Sequence, residues 1–378
     1  MKYYFIAGEA SGDLHGSNLA KALLLQDNNA NIQGWGGDLM QSAGVLITKH
    51  YRELAFMGFV EVVKNIRTIV KNFKRCKEDI AAFKPDTVVL IDYPGFNLRM
   101  AKWAKEEGYK VVYYISPQIW AWKESRIHTI KKYVDEMIVI LPFEKAFYKK
   151  HNYEVHYVGH PLLTLINDFK AKQNRQELMK DLSLTNDKII ALLPGSRQQE
   201  ISIKLPIMLS AAKHFPSYQF VVARAPGTDD SFYSSMITNY NNVTTVENKT
   251  YQLLSIAEAA LVTSGTATLE AGLFKVPQVI CYKGGKISYE LAKRLIKIKF
   301  IGLVNLILDR AVVKESIQDE LNEKNLITEL KAIIETGDKR AEVLKGYDEL
   351  HQILQTGQDA STLAATIIYS TSLALTNK

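Results

Sequence analysis

Two cysteines are all that this chain of 378 residues carries, Cys76 and Cys281. They stand too far apart for metal-ligand spacing and are too few for a disulfide framework, so free cytosolic thiols are expected. No stretch of roughly 18 apolar residues occurs, which argues against a membrane-spanning helix. The opening Met1-Lys2-Tyr3-Tyr4-Phe5-Ile6-Ala7 starts like a leader, but Glu9 and Asp13 interrupt it. It reads as a first buried strand. No Asp-x-Asp and no His/Cys cluster is present, so no metal is expected. No Gly-Lys-Ser/Thr closes a Walker loop, and no Gly-x-Gly-x-x-Gly follows the first strand. A dinucleotide oxidoreductase is thereby disfavoured.

What is abundant is positive charge: 47 Lys and Arg against 40 Asp and Glu, a formal +7. Acidic partners follow from that: nucleic acid, an anionic membrane face or phosphorylated substrates. The charge is clustered. Phe59 to Lys77 holds Lys64, Arg67, Lys71, Lys74, Arg75 and Lys77 against Glu61, with Phe59, Val63, Ile66, Val70 and Phe73 at helical spacing. Lys283 to Lys299 repeats the pattern around Leu291, Leu295 and Ile298. Singly, each is a core-facing helix with a solvated polar face. As a pair in a basic protein they point to a membrane surface. Nucleic acid is less attractive, because no helix-turn-helix, zinc finger or single-strand-binding signature stands out.

Short apolar runs alternate with helical patterns along the chain. Strands are expected at Tyr3–Ala7, Thr87–Ile91, Val111–Ile115, Met137–Leu141 and His156–Val158, then at Ile189–Leu193, Gln219–Ala223, Val243–Val246, Ala260–Thr263 and Gln278–Tyr282. A polar segment, about Leu165 to Thr185, separates the two series. The expected fold is α/β, with two Rossmann-like doubly wound domains facing across a cleft. The boundaries expected are 1–165 for the first domain and 166–349 for the second. A final helix near 350–378 can cross back onto the first.

Ligands in such sheets bind beyond the carboxyl ends of the strands. Leu192-Leu193-Pro194-Gly195-Ser196-Arg197 and Ser264-Gly265-Thr266-Ala267-Thr268-Leu269-Glu270 each follow a strand and lead into a helix. Small residues there let backbone N–H groups approach an anion at a positive helix end. Arg197 adds a planar fork suited to phosphate, and Glu270 can accept two vicinal ribose hydroxyls. The pair reads as a nucleotide-sugar site. Each run is also explicable alone as a turn with a cap. Without a metal motif, the diphosphate leaving group falls to helix N-termini and Arg197.

In the first half, strand one runs into Gly8-Glu9-Ala10-Ser11-Gly12-Asp13, where Ser11 or Asp13 can cap a helix opening near Leu14. Asp92 follows four apolar residues, so partial desolvation can lift its pKa towards a base's working range; a turn before Tyr93-Pro94-Gly95 is the plainer role. Trp120 and Trp122, one residue apart after Ser116-Pro117, suit a sugar face or a membrane interface, and Lys123 and Arg126 can reach a phosphate. Leu141-Pro142-Phe143-Glu144 and Gly159-His160-Pro161 end two further strands, and His160 is a donor or a cap.

Read together, these runs resemble the lipid-A-disaccharide synthase family over nearly the whole chain. The resemblance rests on Ala7 to Asp13, Phe56-Met57-Gly58-Phe59-Val60-Glu61-Val62, Ile91-Asp92-Tyr93-Pro94-Gly95-Phe96-Asn97, Ser116 to Trp122, Leu141 to Tyr148, Gly159-His160, Leu192 to Arg197, Ser264 to Glu270 and Asn305-Leu306-Ile307. The second-half motifs are shared more loosely with other GT-B transferases. The resemblance implies a GT-B fold, no cofactor, and an inverting transfer from UDP-2,3-diacylglucosamine to 2,3-diacylglucosamine 1-phosphate (lipid X). The products are the β-1,6-linked disaccharide 1-phosphate and UDP. It also implies work on the cytoplasmic face of a Gram-negative inner membrane, with a homo-oligomer open.

On that resemblance Asp92 is the base, and Glu9, Ser11 and Asp13 line the acceptor side and can share its work. Gly195, Ser196, Arg197, Ser264, Gly265 and Thr266 hold the diphosphate, Glu270 the ribose, and Asn305 contacts the donor or the cleft. Met57, Phe59, Val60 and Val63 accept acyl chains, with Trp120, Trp122, Lys123 and Arg126 on the acceptor and membrane side. Family members often carry a second acid three residues after the Asp92 position, and here it is Gly95, so a mechanism using that pair is not expected. His15 is a further candidate. The competing readings are another UDP-GlcNAc-using GT-B enzyme and a non-catalytic peripheral membrane protein that binds nucleotide or lipid. The first loop lacks the Gly-Gly-x-Gly-Gly-His type expected of the peptidoglycan transferase.

Overall fold

A computed structural model of the chain describes residues 1–54, 66–225, 228–285, 289–290, 293–294 and 298–376. Met57, Phe59, Val60 and Val63 lie outside the described residues, as do Lys286, Leu291, Leu295 and Lys297 of the basic stretch Lys283–Lys299. The chain divides into two compact units, Met1–Pro161 with Gln355–Lys378, and Leu162–Leu354. Among the described residues no helix is long and apolar enough to cross a membrane.

The first unit holds seven parallel strands: β1 (Lys2–Ala7), β2 (Asn31–Gly36), β3 (Leu46–His50), β4 (Thr87–Ile91), β5 (Lys110–Tyr114), β6 (Glu136–Val139) and β7 (His156–Tyr157), in the order 3-2-1-4-5-6-7. The second holds β8 (Ile189–Leu193), β9 (Gln219–Arg224), β10 (Val243–Glu247), β11 (Ala259–Thr263), β12 (Gln278–Tyr282) and β13 (Lys314–Ile317), in the order 10-9-8-11-12-13. In both, the order reverses between two central strands, β1 beside β4 and β8 beside β11. These four are buried on both faces almost throughout, which is why they read as continuous apolar runs.

Three strands escape the sequence pattern: β2, β3 and β13. β2 carries Gln33 and two glycines, and the Gly34 backbone lies against Phe5 so closely that an added Cβ would fall 2.0 Å from the Phe5 carbonyl oxygen. Both β3 and β13 are edge strands, only half-buried, so neither shows an apolar run.

The helix Ile66–Phe83 accounts for the described part of the basic amphipathic pattern. Its buried face carries Cys76 and Ile80, and Phe73 stacks on Phe96 at 4.3 Å. Asp79 ties it to the sheet by accepting from the Trp35 indole at 3.1 Å and the Tyr4 hydroxyl at 3.3 Å. Its exposed face shows Arg67, Lys71 and Lys74 at i, i+4 and i+7, with Val70 62% exposed among them. The last helix, Ala360–Thr376, packs on the first helix, Ala10–Gln26, within the first unit. Gln26 Nε2 donates to Thr366 Oγ1 at 2.6 Å, and Ser372 meets Thr87 of β4 at 2.7 Å. Cys76 and Cys281 are free and buried, one in each unit.

Candidate active site

Open parallel sheets bind ligands where the strand order reverses. In the first unit that point lies beyond Ala7 of β1 and Ile91 of β4, which are register partners. The residues that follow are Gly8-Glu9 and Asp92-Tyr93. Asp92 and Tyr93 both take left-handed backbone angles, φ 46° and 48°, unusual for residues with side chains. The kink turns the chain off the strand into the helix Pro94–Glu106, whose missing N–H at Pro94 belongs to its first turn. It is held from several sides. The Asp92 N–H donates to the Tyr114 carbonyl at 3.1 Å. The Asp92 carbonyl accepts from the Tyr113 hydroxyl at 2.6 Å and from Asn97 Nδ2 at 2.8 Å. Gly8 makes the room: a Cβ there would lie 2.4 Å from the Tyr93 ring.

The Asp92 carboxyl is pushed up to about 6, first by burial, then by the charge of Glu9, against the Tyr93 N–H that stabilises its anion. A carboxylate poised there suits a general base near neutral pH. Glu9 and Ser11 are exposed at the start of the first helix. That helix begins at Ala10, earlier than its sequence pattern suggests, with Glu9 at the N-cap position.

Asp13 corrects the expectation that it shares the base's work. It is buried, and its carboxylate accepts the N–H groups of Gly37 at 2.7 Å, Met40 at 3.0 Å and Leu39 at 3.1 Å. It anchors the short helix Asp38–Ser42 and caps no helix of its own. His15 and His160 are both buried. Burial holds the His15 imidazole down at about 4; burial, then the neighbouring His15, holds His160 at about 3, so both are neutral at physiological pH.

Glu144 is the residue here that sequence reasoning passed over. It is buried, accepts from the Leu141 N–H at 2.9 Å and from the Trp120 indole at 3.2 Å, and is pushed up to about 7 by burial in spite of these donors. Trp120 is therefore moored inside the unit, edge-on to Phe143 at 4.9 Å. Trp122 is 44% exposed, with the Lys123 ammonium 4.5 Å and the Arg126 guanidinium 5.4 Å from its ring. Beside the Asp92 kink lies an apolar cavity of about 290 Å³, lined by Leu54, Ile69, Phe73, Tyr93, Phe96 and Arg99 among others.

In the second unit the reversal point lies beyond Leu193 of β8 and its register partner Val262 of β11. A pocket of about 330 Å³ sits there, lined by Gly195, Ser196, Ser264, Gly265, Thr266 and Glu270 among others. Gly195 (φ 118°) and Gly265 (φ 133°) adopt angles that side chains rarely tolerate. The turns they form lead into the helices Gln198–Ser210 and Thr266–Leu273. Two helix N-termini therefore serve one pocket. Ser264 Oγ donates to the Ile301 carbonyl at 2.9 Å, which fixes that turn. Glu270 accepts from the Tyr251 hydroxyl at 3.3 Å, and burial raises its pKa. Arg197 is 61% exposed and is not among the residues lining the pocket; its Nη1 lies 3.2 Å from Oε1 of Glu200, which does line it.

Asn305 departs from expectation. It is fully buried, takes the Val312 and Val313 N–H groups on Oδ1 at 2.8 and 2.9 Å, and gives Nδ2 to the Val313 carbonyl and Glu315. Its amide is committed to holding a turn. Arg224 and Thr250 line the pocket unforeseen. Arg224 ends β9, so the strand-end rule held the signal, but its pairing with Asp230 and Glu247 shows only in the fold.

The family model for lipid-A-disaccharide synthetase matches residues 3–368. A lipid-A-disaccharide synthase of Syntrophus aciditrophicus (strain SB) is 37% identical over 373 residues, covering 96% of this chain and 97% of its own. One from Coxiella burnetii (strain CbuG_Q212) is 39% identical over 367 residues, covering 96% of each. Among solved structures, a UDP-GlcNAc 2-epimerase from Neisseria meningitidis, bound to UDP-GlcNAc, superposes with a TM-score of 0.64 at 14% identity, covering 99% of this chain and 100% of its own. That likeness concerns the fold of two parallel-sheet α/β units. With the family match spanning nearly all of both units, the chain belongs to the lipid-A-disaccharide synthetase family.

Proposed function

We propose that this protein transfers 2,3-diacylglucosamine from UDP-2,3-diacylglucosamine to the 6-hydroxyl of 2,3-diacylglucosamine 1-phosphate, releasing UDP. It is a glycosyltransferase of lipid A biosynthesis. The observation that carries the assignment of roles is the chemistry at the reversal point of each unit: the first presents a carboxyl raised to about 6, the second a pocket with a ribose-type acid. Asp92 takes the proton from the acceptor hydroxyl as its oxygen attacks the anomeric carbon. The bond to the diphosphate breaks on the opposite face, which inverts the centre and gives the β linkage. The charge that develops on UDP falls among the Gly195–Ser196 and Ser264–Thr266 turns, with the Arg197 guanidinium drawn from Glu200 onto the diphosphate. Glu270 takes the ribose hydroxyls.

Acceptor recognition belongs to the first unit. The apolar cavity beside Asp92 suits part of an acyl chain, and Glu9 and Ser11 are exposed after β1, where they can meet polar groups of the acceptor. The stripe of Arg67, Lys71 and Lys74, with exposed Val70, and the Trp122–Lys123–Arg126 cluster support peripheral docking on the anionic cytoplasmic face of the inner membrane.

The deciding experiment measures UDP release from UDP-2,3-diacylglucosamine, with and without the acceptor, in EDTA. Acceptor-dependent release, a disaccharide product by mass and loss in Asp92→Asn are expected. Release that ignores the acceptor, or an Asp92→Asn variant as fast as the wild type, overturns the assignment.

A further inference from the structure

Lys204 lies one helical turn beyond Glu200 in the helix Gln198–Ser210 and is only 2% exposed. Its ammonium bonds the hydroxyl of Thr263, the last residue of β11, and lies 3.3 Å from Glu200 Oε2. A Cβ placed on Gly195 would come 3.5 Å from that nitrogen, so the charge sits directly beneath the Gly195 turn. Cys281, buried on β12, also faces it, and burial keeps that thiol neutral, pushed up to about 12. Glu200 and Thr263 both line the pocket that Gly195, Ser264 and Glu270 form. Glu200 uses its other oxygen on Arg197 Nη1, at 3.2 Å.

An acidic side chain in the wall of an anion pocket opposes the ligand unless its charge is compensated nearby. Here the compensation is buried. Burial lowers the pKa of the Lys204 amine, and the charge and hydrogen bond of Glu200 act against that shift without cancelling it. Glu200 stands between two cations, the exposed Arg197 and the buried Lys204.

We propose that Lys204 is a positioning residue for the diphosphate. Its buried ammonium restrains and neutralises Glu200, the resident anion with which an incoming diphosphate competes for Arg197. Glu200 thereby limits how tightly the site holds UDP, and Lys204 limits how strongly Glu200 can repel it. This rests on the reading of the pocket as the UDP site.

The test is UDP titration by calorimetry on the full-length protein, with thermal melting of each variant as the control for folding. Glu200→Gln is expected to tighten UDP by roughly threefold or more, because a like charge leaves the pocket wall and no longer competes with the diphosphate for Arg197. Lys204→Met is expected to weaken it by about tenfold, and Glu200→Gln in that background to return it to within about threefold of wild type. A purely structural lysine predicts a lower melting temperature and no rescue. Weaker UDP binding in Glu200→Gln, or a double variant no tighter than Lys204→Met, overturns the proposal. If Lys204→Met does not fold, Glu200→Gln decides alone, since that side chain is 40% exposed. A wild type that takes no UDP overturns the pocket's reading as well; a wild type that binds it, with variants out of this order, overturns the Lys204 inference only.

Discussion

The Tyr113 hydroxyl donates to the main-chain carbonyl of Asp92 at 2.6 Å. This bond joins β5 to the turn that ends β4, and Asn97 reinforces it from the following helix with the same amide nitrogen that reaches the Ile6 and Ile91 carbonyls at 3.2 Å. Left-handed backbone costs about 1–2 kcal/mol for a residue with a Cβ, so the kink persists because neighbouring groups hold it. Tyr113→Phe should lower stability by about 1–2 kcal/mol and reduce kcat more than it raises KM. Denaturant melts and steady-state kinetics read both, and an unchanged kcat would separate the kink from the chemistry.

Asp92 must be ionised to act as a base. With its carboxyl pushed up to about 6, kcat/KM should climb as pH rises through that value and then level off. Glu9→Gln removes the like charge that helps to raise it, so the acid limb should move to lower pH. Asp92→Asn should lose roughly a thousandfold in kcat with the melting temperature little changed. A limb that stays in place in Glu9→Gln would show that the charge of Glu9 does not reach Asp92.

The proposed roles give Arg197 the diphosphate and Glu270 the ribose of the nucleotide. Arg197→Ala should weaken UDP by about ten- to a hundredfold, with little effect on stability because the side chain is largely exposed. Glu270→Gln should bind UDP and 2′,3′-dideoxy-UDP nearly alike, whereas the wild type should prefer UDP. Titration with both ligands checks this, and undiminished preference in Glu270→Gln would remove the ribose role.

Glu144 makes a prediction about stability alone. Its folded pKa, about 7, lies above the ordinary carboxyl value, so the folded state keeps a proton that the unfolded chain has released. Its contribution is fully present below the unfolded value and is lost as pH rises through about 7. Glu144→Gln does not titrate, so the melting temperature of the variant should gain on that of the wild type between about pH 4.5 and 7. Parallel curves would show that the group is ionised in the fold throughout.

The stripe on the helix Ile66–Phe83 should govern vesicle binding. Charge reversal of Arg67, Lys71 and Lys74 to Glu is expected to abolish flotation with anionic liposomes and leave neutral liposomes unaffected. UDP affinity should stay at the wild-type value, since those residues belong to the first unit. Undiminished flotation would remove this helix from the docking surface.

Much of this was legible in the sequence. The central strands of both sheets bury both faces, so β1, β4, β8 and β11 appear as apolar runs, and each ends in a turn of small or acidic residues. The fold class and the family followed from those runs and the residues after them, and the two strand ends proposed here as ligand sites were read from the same segments. β2, β3 and β13 were not legible, because Gln33 and two glycines interrupt β2, and β3 and β13 are half-exposed edge strands with no continuous apolar run.

Side-chain commitment was not legible either. Asp13, Glu9 and Asp92 are all acids after a strand in the sequence. Only the packing shows that Asp13 is consumed by three backbone donors while Asp92 is desolvated without being neutralised. Asn305 sits in a family-like run, yet its amide is turned inward to hold a loop. Lys204 shows nothing in the sequence but a lysine on a helix; its burial beneath the Gly195 turn depends on β11 lying beside β8. Local sequence determined which segments become strands, turns and helix starts, since period and backbone preference are local. Tertiary structure decided which charges lose their water and which find partners, because desolvation and hydrogen bonding depend on residues far away in the chain.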